Sequence, residues 1–348
     1  MIKLAIVGTG SMANNHALAF KAIKGVNLVA CCDIIADVAK QFAKTHNIRS
    51  YYADFDKMLD MENLDAVSIV SSDKFHAELS LAAIRKGLHL FCEKPLATNP
   101  EDAWKMAKVA QKTKVINMVN FVYRRFPALQ KARSLVEKGT LGDIRHIEAH
   151  YLQSWLTGKH WGDWKKTPAF LWRLSKNYDS SGALGDIGCH ILDFVTFVAG
   201  DISKIYCQIK TFDKGVKTPY KGYSLDANDS ANILAEFVNG AAGTINVSRW
   251  ATGQMDSLFL QVHGTKGALK IDSDTGEDKL WLSVGENINV PKWEAVVCGK
   301  CATNYERFIK SIKTGNNDVP DFSVGARIQD YINACFKSDA QKKPLSIK

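Results

Sequence analysis

The sequence predicts a mixed α/β protein: an N-terminal doubly wound parallel sheet of the Rossmann type, then an α+β domain with a large, mostly antiparallel, open-faced sheet. Three observations predict it. A glycine-rich turn separates an apolar run from a helical pattern within residues 3–24, and apolar runs then alternate with helical stretches as far as residue 121. From residue 144 the pattern changes to long, partly alternating strands. At 348 residues the chain is too long for one ordinary core, and two domains are expected, 1–122 and 123–348.

In chain order, Lys3 to Val7 reads as a buried parallel strand feeding Gly8, Thr9, Gly10, Ser11, Met12 and Ala13. Such a turn lets the backbone approach a pyrophosphate, and the N–H groups of the helix it opens face the negative charge. Ala13 stands where the fingerprint usually has its third glycine. The helix is expected from about Ser11 to Lys24 with Gly25 closing it, and Asn27 to Cys32 is the next strand, ending in Asp33. An acid there accepts hydrogen bonds from the adenosine ribose. Ile34 and Ile35 bring no arginine for a 2′-phosphate, so NAD is expected rather than NADP.

Strands at 66–70, 89–92 and 115–121 and helices at 75–86 and 101–112 continue the alternation. Parallel sheets of this kind take ligands at the carboxyl ends of their strands. Two of those ends stand out. One carries Ser71, Ser72 and His76, rich in caps and donors; the other carries Glu93, Lys94 and Pro95. Proline restricts the residue before it to extended geometry and so aims the Lys94 amine, which in a cleft can stabilise a developing alkoxide. Taken alone, the tripeptide also reads as a surface turn.

The second domain opens with a helix after Pro127, followed by strands at 144–155, 204–212, 231–238, 242–250, 257–263, 268–272 and 280–284. Turns such as Asn239-Gly240 make the sheet mostly antiparallel. Between Trp155 and Ser181 runs a loop rich in aromatic and cationic residues. Trp161, Trp164 and Trp172 offer flat faces for the C–H side of a sugar ring; His160, Lys165, Arg173 and Asp179 offer partners for hydroxyls. Gln153, Trp155, Trp172 and Arg173 are the candidates for lining a site, although any one tryptophan is as readily a packing residue.

The segment SGALGDIGCHILD, residues 181–193, sets Asp186 and His190 four apart at the head of an apolar helical run. On a helix they share a face, while Ile187, Ile191, Phe194, Val195 and Val198 bury another. The layout suits catalysis. The alternative is an Asp and a His that merely bond each other beside a core helix.

With these residues in place, the sequence resembles the Gfo/Idh/MocA family of NAD(P)-dependent oxidoreductases along essentially its whole length. The resemblance rests on GTGSMA at 8–13, Asp33, GLHLFCEKPLA at 87–97, NFVYRRFPAL at 120–129, Trp172-Arg173, GALGDIGCHILD at 182–193 and VHGTKGALKID at 262–272. It implies hydride transfer between NAD and a secondary hydroxyl or ketone of a sugar, sugar derivative or cyclitol. Lys94, Asp186 and His190 then fall on the catalytic positions. Gly8 to Met12, Asp33, Ile34, Ser71, Ser72, His76, Glu93 and Lys94 fall at the cofactor. Tyr123, Arg124, Gln153, Trp155, Trp172, Arg173, Asp186 and His190 fall at the substrate. Family members pair through the open sheet face, so a homodimer or homotetramer is expected by resemblance. A glycosidase or lyase that oxidises its sugar transiently would use the same three catalytic residues, and a non-catalytic NAD- and sugar-binding regulator is a further alternative.

Composition narrows the classes. The net charge of +9 is dispersed, with no arginine-rich block or basic stripe for a nucleic acid. Cys298 and Cys301 form a single CxxC without further ligands at zinc spacing, so no metal is expected. The start, MIKLAIVGTG, is too short an apolar run for a signal peptide or membrane span, and a cytoplasmic location is expected.

Overall fold

The structure, a computed structural model, describes residues 1–178 and 180–347, and the side chains of all of these except residues 168 and 169. The chain divides into two units: Met1–Val122 with Ala302–Gln329, and Tyr123–Cys301 with Asp330–Lys348.

In the first unit, β1 (Ile2–Val7), β2 (Val26–Cys32), β3 (Ser50–Tyr52), β4 (Ala66–Ile69), β5 (His89–Cys92) and β6 (Asn117–Val119) form one parallel sheet in the order β3-β2-β1-β4-β5-β6. Helices α1 (Ser11–Lys21), α2 (Ala36–Thr45), α3 (Phe55–Met61), α4 (His76–Arg85) and α5 (Pro100–Thr113) make the connections. Leu4, Ile6, Val67, Ile69, Leu90 and Phe91 are wholly buried, as central parallel strands covered on both faces must be. The strand order reverses between β1 and β4, which opens a crevice at their carboxyl ends. Gly8 lies there with φ 86°, and a Cβ on it would stand 2.5 Å from the Ser71 amide nitrogen. Only glycine lets the two strand exits meet so closely.

In the second unit, α6 (Pro127–Glu137) precedes β7 (Ile144–Gln153), and α7 (Pro168–Leu171) lies within the loop that follows. A π-helical turn, Leu184–Gly188, runs directly into α8 (Cys189–Ala199). Then come β8 (Ile202–Lys210), β9 (Ser230–Phe237), β10 (Ala242–Ser248), β11 (Asp256–Gly264), β12 (Gly267–Asp272), β13 (Lys279–Val284) and β14 (Glu294–Val297). With β15 (Leu345–Ser346) they form a nine-stranded sheet ordered β14-β13-β12-β11-β7-β10-β9-β8-β15. Only the β7–β10 pairing is parallel. Burial alternates along β9: Ala231, Ile233, Ala235 and Phe237 are buried, while Asn232, Leu234 and Glu236 are exposed. One face of the sheet is therefore core and the other open.

The expected division into contiguous domains differs from the structure at residues 302–329. Helix α9 (Asn304–Thr314) and the start of α10 (Phe322–Gln341) belong to the first unit. Phe308 and Ile309 join the core built by Leu4, Ile6, Phe20 and Phe91. The amides of Asn117 and Val119 donate to Asn317 Oδ1 at 2.9 Å and to the Pro320 carbonyl at 2.8 Å. The returning segment thereby satisfies the outer edge of β6. Among the described residues no helix is long and apolar enough to cross a membrane.

Candidate active site

Two groups of candidate residues stand out, one in each unit. In the first, Gly10 caps α1 without a side-chain hydrogen bond, no acid occupies the first turn, and open space lies where a Cβ would stand. Ser11 and Met12 are exposed beside it. Such an end suits an anion. Asp33 is held at the exit of β2: Oδ2 accepts from the Thr9 amide at 2.8 Å and the Thr9 hydroxyl at 3.0 Å, and Oδ1 from the Ile35 amide at 3.0 Å. A carboxylate has about four acceptor positions, so capacity remains for a ribose hydroxyl. Ile34 stands 83% exposed next to it, and no cation replaces it. These residues fit the adenosine and pyrophosphate of NAD.

Past β5, Lys94 is half-buried and precedes a cis Pro95. Two buried side chains brace this turn. His76 directs Nδ1 to the Pro95 carbonyl at 2.8 Å and Nε2 to the Ser71 carbonyl at 3.1 Å. Carbonyls only accept, so both ring nitrogens donate and the ring is cationic. Burial opposes that charge, but Cys92, Asp73 and the Pro95 carbonyl favour it, and the pKa rises to about 10. His76 therefore ties strand ends together instead of presenting a nitrogen to a cofactor. Glu93 also turns inward: Oε1 accepts from Asn120 Nδ2 at 2.6 Å and His16 Nε2 at 2.8 Å, and Oε2 from the Lys94 amide at 3.2 Å. Burial works against its ionisation. The bonds from His16 and Asn120 and the nearby Lys94 charge prevail, and hold the carboxyl at about 2.

In the second unit, Asp186 lies within the π-helical turn and His190 in the first turn of α8. The sequence predicts ordinary α-helix here, whereas the turn is wound more widely; within it a Cβ on Gly185 would stand 2.1 Å from Ser181 Cβ, a closeness that glycine permits. Asn228 anchors the start, its backbone carbonyl and Oδ1 accepting from the Ala183 and Leu184 amides. π-turns of this kind concentrate at functional sites. Asp186 keeps a third of its side chain exposed and accepts from Arg249 at 2.8 Å, with Arg173 at 3.8 Å. Arg249 is wholly buried; burial lowers its pKa, and the Asp186 carboxylate opposes that fall. The His190 ring packs edge-on against Tyr123 at 4.8 Å and faces Tyr151 at 6.3 Å.

Behind them, Asp256 Oδ1 accepts from Tyr151 at 2.6 Å and Gln153 Nε2 at 2.8 Å, while the Tyr123 and Tyr151 hydroxyls meet at 2.5 Å. Burial raises the Tyr151 pKa, and the neighbouring Tyr123 and Asp256 raise it further, so the phenol stays protonated. Gln153 also accepts from Trp155 Nε1 at 3.1 Å. Trp155 and Trp164 form a small core with Leu156, Leu171, Leu174 and Leu225, against which Trp161 packs in part. Trp172 remains 39% exposed with the Arg173 guanidinium 4.4 Å over its ring. Lys165 sits 5.5 Å over the Trp164 ring, and His160 packs edge-on to Trp161. Asp179 lies outside the described residues.

Arg124 departs from the expectation of a substrate contact. The residue is 3% exposed, and its guanidinium holds both oxygens of Asp193 on α8 with bonds of 2.6–3.1 Å and stacks over Phe197 at 4.3 Å. A guanidinium so engaged is part of the core.

His16, Tyr151, Arg249 and Asp256 escaped the sequence reading, and Asn120 entered it only as the first residue of NFVYRRFPAL. Two of them left a signal. His16 shares the buried stripe of Ala13, Ala17 and Phe20 on α1, and Tyr151 shares a strand face with Gln153. Arg249 and Asp256 left none, since both depend on long-range pairing. Among the described residues no three His, Cys, Asp or Glu side chains gather as a metal ion requires.

Residues 2–121 match the model of the oxidoreductase family with an NAD-binding Rossmann fold, and residues 129–270 match that of the GFO/IDH/MocA C-terminal domain. A levoglucosan dehydrogenase of Pseudarthrobacter phenanthrenivorans is 27% identical over 77% of this chain and 73% of its own length. A glucose-6-phosphate 3-dehydrogenase of Bacillus subtilis is 28% identical over 100% of this chain and 99% of its own. Among solved structures, an oxidoreductase domain protein from Kribbella flavida superposes with a TM-score of 0.89 at 27% identity, covering 100% of this chain and 99% of that one.

Proposed function

Because this chain belongs to the Gfo/Idh/MocA family of NAD-binding oxidoreductases, we propose that it transfers a hydride between NAD and a secondary hydroxyl or ketone of a sugar, sugar derivative or cyclitol. The observation that carries this reading is the helix start that presents Asp186 and His190 in successive turns, with Arg249 fixing the first and Tyr123 and Tyr151 bracing the second. The α1 start and Asp33 would hold NAD, which when bound would supply the hydride acceptor for the carbinol carbon. His190 takes the hydroxyl proton as general base, and Lys94 donates to the substrate oxygen and stabilises its negative charge. Asp186, paired with Arg249, supports the charge that develops on the imidazole. Gln153, Trp172 and Arg173 hold the sugar, with Trp155 as the wall behind Gln153. Dehydrogenases among the relatives act on sugars and inositol by their names, which supports this substrate class.

A screen of monosaccharides, anhydrosugars and inositols with NAD and with NADP, followed by absorbance of the reduced cofactor, tests the reading. Accumulating NADH supports it. Cleavage of the sugar with no net reduction identifies transient oxidation instead. His190→Ala is expected to lower kcat by about 10²–10⁴-fold while NADH affinity holds; unchanged turnover removes His190 from the mechanism.

The same reading includes assembly through the open sheet face, where Leu234 is 56% and Tyr206 38% exposed. Light scattering after size exclusion should give a dimer or tetramer, and Leu234→Lys should lower its mass. All eight cysteines are thiols, which fits a reducing compartment, and we place the protein in the cytoplasm. Recovery in the soluble fraction without osmotic-shock release checks this.

A further inference from the structure

The braces under Lys94 are charged and buried, and that combination needs a reason. On α1 the buried stripe is Ala13, His16, Ala17 and Phe20, so one polar ring sits among apolar side chains. An imidazole there costs stability unless both nitrogens are satisfied. They are: Nδ1 meets Ser68 Oγ of β4 at 2.8 Å, and Nε2 meets Glu93 Oε1 at 2.8 Å. Glu93 then reaches the backbone of Lys94 itself, and Asn120, beyond β6, closes the group at 2.6 Å. Asn120 also meets the Tyr305 hydroxyl at 3.3 Å, and the Tyr305 ring packs edge-on to His16 at 5.1 Å. Pieces of β4, α1, β5, β6 and α9 converge on one carboxylate. An apolar trio of similar volume would fill this space with less desolvation.

We propose that His16 and Glu93 are positioning residues for Lys94: Glu93 fixes the backbone of the lysine and sets a carboxylate near its amine, and His16 holds Glu93 in place. This rests on the assignment of Lys94 to the substrate oxygen. The Lys94 charge is one of the causes that favour the Glu93 carboxylate, and Coulomb attraction between the two groups is mutual. His16 stands on α1, the helix whose start is assigned to the pyrophosphate, so one ring links that helix to the turn bearing the lysine.

Competitive acetylation of the full-length protein with acetic anhydride, read by peptide mass spectrometry, reports the fraction of each lysine present as free amine and needs no turnover. In Glu93→Gln, Lys94 should label about tenfold faster relative to surface lysines at the same pH, since the neighbouring negative charge is gone. Turnover with levoglucosan as probe sugar gives a second readout. His16→Leu should lower kcat about tenfold with NADH Kd within about threefold, and His16→Gln, which keeps an N–H toward Glu93, should recover most of it. Unchanged Lys94 labelling in a folded Glu93→Gln protein overturns the proposal. Equal losses in His16→Leu and His16→Gln that track a fall in Tm overturn it too, showing a purely structural network. Should Glu93→Gln not fold, faster Lys94 labelling in His16→Leu than in His16→Gln supports the proposal, and equal labelling overturns it. Full levoglucosan turnover in Lys94→Ala sinks the assignment of Lys94, and is distinguishable because the labelling arms still read the hold of Glu93 on the amine.

Discussion

Arg124 and Asp193 show how residue chemistry misleads when its partner is unknown. An arginine beside an aromatic near the start of the second unit suggests a hand for substrate, yet both oxygens of Asp193 already occupy it. Removing one member of such a buried pair strands the other. Arg124→Leu is expected to cost about 3–5 kcal/mol, with most of it recovered in the double variant Arg124→Leu, Asp193→Leu. Chemical denaturation checks this; a raised KM at unchanged stability would return Arg124 to the substrate. Glu93 gives a second prediction at this scale. Its carboxyl lies at about 2 in the folded chain against 4.5 ordinarily, so the folded state binds fewer protons between those values. The stability it contributes is complete above the unfolded value and is lost as pH falls through the folded one. Acid titration of the wild type should show this loss, and Glu93→Gln should lack it. Gly8, Gly10, Asp33, Lys94, Asp186 and His190 stand out in the sequence as candidates because each announces itself with its neighbours. Arg249 was not, because Asp186 lies 63 residues away and the contact depends on how β10 is laid beside the helix.

At the scale of elements, the alternation of strands and helices is legible because burial on two faces leaves apolar runs, and burial on one leaves a period of two. The winding of the Asp186 turn is not. Five residues carry too little pattern to separate i→i+4 from i→i+5 bonding, and the close approach of Ser181 to Gly185 shows only in the structure. Gly185→Ala places a methyl in that contact. It should cost about 1–3 kcal/mol and reduce kcat while leaving NADH affinity, a property of the other unit, unchanged. Ser181→Gly should restore part of the loss; an unaltered kcat in Gly185→Ala would mean the turn tolerates ordinary winding. Gly8→Ala is expected to act in the opposite sense, weakening NADH binding, because its Cβ would meet the Ser71 backbone.

For the whole molecule, the two sheet types and their order are legible, since each occupies a continuous stretch of sequence. The return of residues 302–329 to the first unit is not legible, because α9 reads only as an amphipathic helix with no mark of which core it covers. Fragment 1–122 should lack a cooperative thermal transition, and joining 302–329 to it through a flexible linker should restore one; a sharp transition in 1–122 alone would show the returning segment to be dispensable. The covered edge of β6 also has a consequence for synthesis. Between the end of the first segment and the start of the second, 179 residues must be translated. At roughly 5–20 residues per second the ribosome takes about 10–35 seconds over them. For that interval the nascent first unit carries an uncovered strand and a core missing Phe308, so the chain most needs a chaperone while its second unit is still being made.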